Sequence, residues 1–176
     1  MAAYGTLGRV DLLAAYDATN YGARWETSQN PPSSSSIARR GGRVFDKIDS
    51  SKDVQICFDY IIPSQYSGTT GLKFLLTWEV DGLSTGNVVW GVKAEKITTN
   101  STSFYTDNFG TATTATTAVP TVANGYTQTT ISVVLARLGT PTASDVVRVC
   151  LYRACTSASD TFSGAARVVA VEVIDY

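Results

Sequence analysis

Hydrophobic and polar positions alternate with a period of two along most of the chain. Val54, Ile56, Phe58 and Tyr60 alternate with Gln55, Cys57 and Asp59. Leu72, Phe74, Leu76, Trp78 and Val80 alternate with Lys73, Leu75, Thr77 and Glu79. Val88, Trp90, Val92 and Ala94 alternate with Val89, Gly91, Lys93 and Glu95. Thr129, Ile131, Val133 and Leu135 form a fourth run, Val147, Val149 and Leu151 a fifth, and Val168 to Ile174 a sixth. A period of two sends successive side chains to opposite faces, so each run predicts a strand with one face on a core. β-branched and aromatic residues dominate the runs, as a pleated, half-buried surface favours.

Turn chemistry separates the runs. Pro63-Ser64 and Ser67-Gly68 divide the first pair, and Asp81-Gly82 and Gly86-Asn87 the next. Asn124-Gly125 precedes the fourth run and Gly139-Thr140-Pro141 follows it. Short strands with turns between them and no 3.6-residue period predict an all-β sandwich or barrel.

Two segments depart from this pattern. Thr98 to Ala123 is a Thr/Ala/Ser tract whose larger side chains include Phe104, Tyr105 and Phe109. Its middle reads as an edge strand, because Thr suits a half-wet pleat, and the rest as a long loop at one end of the sandwich. Residues 1–42 contain TSQNPPSSSS, Thr27 to Ser36. Proline has no N–H to donate to a ladder, so this stretch reads as linker or extended arm. Val10 to Tyr16 reads as either a short strand or one helical turn. Tyr4, Leu12, Leu13, Tyr16, Tyr21 and Trp25 are scattered through the segment, and Arg39, Arg40 and Arg43 stand at its root. It is too polar for a core of its own and too aromatic for a spacer. These nine residues are the candidate partner-binding set: apolar anchors for pockets on a neighbour, and arginines for its carboxylates. The competing reading folds the arm back to add strands to its own sandwich.

Composition narrows the function. The 176 residues carry 14 Lys+Arg against 15 Asp+Glu. No basic excess exists to hold a phosphate backbone, so no direct nucleic-acid partner is expected. Charged residues are only 16%, and Ser and Thr together make up roughly a quarter of the chain, so hydroxyls carry much of the polar surface. With no His, Ser-His-Asp and Cys-His catalysis is out of reach, as is the commonest metal ligand. Neither a GxxxxGK nor a GxGxxG loop occurs, so no phosphate cradle of those kinds is expected. No cofactor or metal is expected, and the chain is not expected to be an enzyme. The opening MAAYGTLGRVDLLAAYD lacks a basic start followed by an apolar run, and no window approaches a membrane span. The expectation is a protein made in a reducing cytosol, with no membrane partner. Cys57 and Cys150 then read as small buried core residues, and a bond from Cys155 to Cys150 or another partner is the minor alternative.

Paired carboxylates are the one catalytic option to weigh. A glycosidase needs two of them, about 5 Å or about 6.5–9.5 Å apart according to mechanism. Glu79 and Glu95 point away from the apolar sets of their runs, which predicts solvated outer faces. Glu172 falls on the phase of Val168, Ala170 and Ile174, with Arg148 or Arg153 as candidate partners. Trp25, Trp78 and Trp90 raise a sugar-stacking platform. Trp78 and Trp90, however, share phase with the apolar faces of their strands and read as core.

Three stretches resemble virion proteins of tailed bacteriophages. The first is FDYIIPSQYSGTTGLKFLLTWEV, Phe58 to Val80, two strands about an Ile-Pro turn. The second is GNVVWGVKAEKI, Gly86 to Ile97. In the third, Ser144 to Tyr176, a strand ending LYR leads through Ser159-Asp160-Thr161 to a last apolar strand. The resemblance spans about residues 54–176 and rests on framework features. It implies a jelly-roll β-sandwich that serves as a structural part of a phage particle; with the N-terminal arm and linker read from the residues over 1–42, the sandwich occupies residues 43–176. The usual roles in that family are capsid cement (decoration) and tail or fibre component, and the size, the arm and the near-neutral charge favour a structural virion protein of the capsid cement or decoration kind. Such a protein would sit on the capsid surface and stabilise the major capsid protein lattice, with copies of itself as a homotrimer. The alternative is a tail or fibre adhesion module, or a carbohydrate-binding module.

Overall fold

The computed structural model describes residues 6–10, 12, 24–27, 41–47, 51–80, 84–98, 108–122 and 125–176. The strands are β1 (Thr6–Arg9), β2 (Arg24–Thr27), β3 (Gly41–Phe45), β4 (Val54–Ile61), β5 (Gly71–Val80), β6 (Asn87–Ile97), β7 (Thr113–Ala118), β8 (Tyr126–Val134), β9 (Val146–Arg153) and β10 (Ala166–Asp175). A 3-10 turn, Leu135–Leu138, follows β8 and stops at Gly139, whose φ of 77° is left-handed and suits a residue without Cβ.

The pairing is nested. β3 pairs β10, β4 pairs β9, β5 pairs β8 and β6 pairs β7, all antiparallel. This is one long two-stranded ribbon with the β6–β7 connection at its tip. Doubling the ribbon over brings β10 against β5 and β9 against β6. Two sheets result, β2-β3-β10-β5-β8 and β4-β9-β6-β7, and the fold is a jelly-roll β-sandwich. The six alternating runs are β4, β5, β6, β8, β9 and β10, and the middle of the Thr/Ala tract is β7, an edge strand as its composition predicts.

The core lies between the sheets. Trp78 and Trp90 are fully buried, as their phase predicts. Their rings meet edge-on at 5.6 Å between centroids, and Phe45 meets Trp90 at 5.0 Å and 88°, the arrangement that the ring quadrupole favours. Trp78 Nε1 donates to Thr129 Oγ1 at 2.8 Å, and that hydroxyl donates to Thr117 Oγ1 at 2.8 Å. A polar chain thus joins β5, β8 and β7 across the two sheets.

The last strand changes phase. Its register with β5 slips between Val168 and Ala170, so Ala166, Val168, Val171 and Val173 are the buried set. The expected face of Val168, Ala170 and Ile174 is therefore corrected. Glu172 stands opposite Leu75 on β5 and Arg9 on β1, not near Arg148 or Arg153, which lie on β9 in the other sheet. The bulge is the physical reason: one extra residue inverts every side chain beyond it.

Two pieces of the N-terminal segment join this framework. β2 extends the six-stranded sheet beyond β3. β3 covers β10 only from Ala166 to Val168, and β1 takes the same margin from Glu172 to Ile174. Val10 N adds a bond to Val171 O at 3.0 Å.

Candidate functional site

The nine candidate residues of the N-terminal segment do not share one fate. Leu12 is buried in the sandwich's own core. Arg43 Nε donates to Leu12 O at 2.8 Å, so both are engaged within the chain. Trp25 lies in β2, opposite Arg43. Tyr4, Leu13, Tyr16, Tyr21, Arg39 and Arg40 lie outside the described residues.

The polar chemistry of the body concentrates in three arginine–carboxylate clusters. In the first, the alternation of β9 places Arg153 on the inward face with Val147, Val149 and Leu151. A buried guanidinium must find partners for all five N–H groups. Nε and Nη2 hold Asp160 in a fork, at 2.9 Å to Oδ2 and 2.8 Å to Oδ1. Nη1 reaches Phe45 O and Gly164 O, and Nη2 also reaches Phe162 O. Asp160, itself buried, accepts in addition from Val89 N at 3.0 Å and from Lys47 Nζ at 3.3 Å. The cluster ties the 154–165 connection to the ends of β3, β6 and β9. Nearby, Thr156 donates through N and Oγ1 to Asp53, which joins the 46–53 connection to the same rim. All five arginine donors are used, so none is left for an anion, and the arrangement acts as a clamp.

The second cluster lies on the outward face of the four-stranded sheet. Arg148 stands between Glu95 on β6 and Asp59 on β4, at 3.2 Å and 3.6 Å. Asn108 N donates to Glu95 Oε2 at 2.8 Å. The third is Glu79 with Arg167, 2.8 Å apart on the outward face of the six-stranded sheet. The expected solvated faces for Glu79 and Glu95 are thus corrected: the residues are only 6% and 5% exposed. They do point away from the core, but an arginine on the adjacent strand lies over each one. Because the two glutamates occupy opposite outer faces, with two stacked sheets between them, they cannot flank one glycosidic bond. The fully buried Trp78 and Trp90 cannot form an exposed stacking platform either. Among the described residues, no group of three or more Cys, Asp or Glu is placed to hold a metal ion.

The cysteines need a further correction. Cys57 and Cys150 are buried, but they are joined in a disulfide rather than standing as separate thiols. They stand directly opposite each other on β4 and β9, on outward-facing positions. A separation of 93 residues hides this pair until the register is known, which is why the sequence points only to bonds that involve Cys155. Cys155 is the free cysteine, and burial is the main cause pushing its thiol pKa up, which leaves it an unreactive core residue. A disulfide that closes so long a loop restricts the unfolded chain, so reduction is expected to cost about 2–4 kcal/mol. Urea midpoints with and without a thiol reductant measure this, and an unchanged midpoint would count against the bond. Next to the disulfide, the Tyr152 ring lies across Gly91, where any Cβ would collide with it.

At the opposite rim, Lys96 Nζ donates to Asp145 Oδ2 at 2.7 Å, and Thr142 donates to the same oxygen through N and Oγ1. The Lys96 hydrogen bond is the main cause that lowers the Asp145 pKa from 3.8 to about 2, with Thr142 next. A depressed folded pKa adds stability that is present above the unfolded value and lost as pH falls through the folded one. Stability should therefore fall between about pH 4 and pH 2. Asp145→Asn should flatten that part of the profile and lower stability at neutral pH. Thermal melts across the window test both expectations.

Protein-family models and the curated proteins searched contain no match to this sequence.

Proposed function

We propose that the protein is a structural component of a tailed-bacteriophage particle. In this reading it is a capsid cement or decoration protein, bound as a homotrimer to the major capsid protein lattice. The observation that carries the reading is where the phage-like strings fall. Phe58–Val80, Gly86–Ile97 and Ser144–Tyr176 cover the second half of β4 and all of β5, β6, β9 and β10, much of the frame of the jelly roll, and include the Arg153–Asp160 clamp. Such a protein works without chemical turnover. Binding the assembled lattice and not the free subunit stabilises the shell by mass action. Contact with the capsid is assigned to Tyr4, Leu13, Tyr16, Tyr21, Trp25, Arg39 and Arg40. Leu12 and Arg43 are left out because they are engaged within the fold.

Copy number in purified particles tests the reading. A cement protein requires on the order of hundreds of copies, because an icosahedral lattice repeats its junctions. Tens or fewer would instead favour a tail or fibre adhesion module, and absence from particles would refute both. One observation favours the adhesion reading: Val122 and Tyr126 are exposed together at one end of the sandwich. Arg39→Ala with Arg40→Ala should weaken attachment to particles while the fold persists. A truncation is less informative, since removing residues 1–36 also removes β1 and β2.

A further inference from the structure

The margins of the two sheets are not alike. On one side the outer strands carry charge: β2 contains Arg24 and Glu26, and β4 contains Asp59, which is exposed. Exposed strand edges present unpaired N–H and C=O groups, and charges, prolines or bulges are the usual guards against a second strand. On the other side the outer strands are β7 and β8. They lie beside each other, joined through Thr117 and Thr129. Neither contains a charge or a proline, and their pairing shows no register shift. The absence of charge extends well beyond them: residues 108–136 contain no Asp, Glu, Lys or Arg, in a chain that is 16% charged as a whole. The next charge, Arg137, is half-buried, and its Nη1 is bonded to Ala112 O and to Thr113 Oγ1 at the first residue of β7, so this cation is already engaged within the chain. Thr116, Val122, Tyr126, Gln128, Thr130 and Val134 are exposed along this side.

We infer that this uncharged β7–β8 side is the surface through which copies of the chain meet. A charged partner would find no complement here, whereas two identical uncharged edges approach without like-charge repulsion and can satisfy each other's backbone groups. Thr, Gln and Tyr supply hydroxyl and amide hydrogen bonds, and Val122 and Val134 supply apolar area. The inference rests on the self-association part of the reading above and gives it a location.

The test is the mass in solution, by light scattering and sedimentation, of the full chain, of Thr116→Lys with Thr130→Lys, and of Ser159→Lys as a control on the exposed 154–165 connection. The wild type and the control are expected to associate alike. The double variant should dissociate, its dissociation constant raised at least about 100-fold, with an unchanged circular dichroism spectrum and melting temperature. A wild type that stays monomeric, a double variant that still associates, or a control that dissociates equally would each overturn the inference. A wild-type dimer would support the surface and refute the trimer. Capture on phage particles is read separately, so loss of the virion reading does not remove this one.

Discussion

Replacing Arg153 with Met is expected to lower stability by about 3–5 kcal/mol, the range for breaking a buried ion pair by removing one partner. The substitution leaves Asp160 buried with Val89 N and Lys47 as its remaining partners. It also strips a donor from Phe45 O, Phe162 O and Gly164 O at once. The loss should therefore exceed that of any single surface ion pair in the molecule. Asp160→Leu should be damaging for the converse reason, since it strands the guanidinium. The double variant should cost less than the sum of the two, because neither charge is then left alone. Urea unfolding of the three proteins gives the coupling energy. Additive losses would show that the two residues act independently and that the rim is held by other contacts.

Trp78→Ala and Trp90→Ala are each expected to cost about 3–5 kcal/mol, the range for truncating a large buried aromatic to Ala. The Phe variants should separate the two sites. Trp78 Nε1 donates to Thr129, so Trp78→Phe breaks the chain that continues to Thr117. Trp90 Nε1 is buried with no partner among the described residues, so Trp90→Phe removes a donor that contributes little. Trp78→Phe should thus be the more damaging Phe variant in thermal and urea melts. Equal losses would mean that ring volume alone matters. A Trp90→Ala protein of native stability with altered sugar binding would restore the platform reading.

Strands were legible wherever one side of the sheet faces the core, because alternation is a direct image of that geometry. Even β7 could be read from Thr-rich composition alone. What escaped depends on neighbours far along the chain. The outward phase of Glu79 and Glu95 was visible, but their burial follows from Arg167 and Arg148, which only the register places beside them. The Cys57–Cys150 bond is hidden for the same reason. The bulge after Val168 leaves no mark in the sequence, so the shift that parts Ala170, Glu172 and Ile174 from the face of Val168 cannot be read there. The Arg153 clamp did carry a signal: an arginine on the phase of Val147, Val149 and Leu151, followed seven residues later by Asp160, asks for a buried partner. Loop residues such as Thr142, which lowers the Asp145 pKa, fall where no period operates.

The position of β10 has a kinetic consequence. It lies inside the six-stranded sheet, with β5 along one margin and β3 and β1 sharing the other. Until it emerges from the ribosome, β5 and β3 have an unfilled gap between them, and Ala166, Val168, Val171 and Val173 are missing from the core. The doubled ribbon therefore cannot close progressively as the chain is made. The nascent chain must wait with β-rich, low-charge segments exposed, and its long-range pairing then forms slowly once synthesis has passed Asp175. A chain of this kind depends on β10 for solubility as much as for stability.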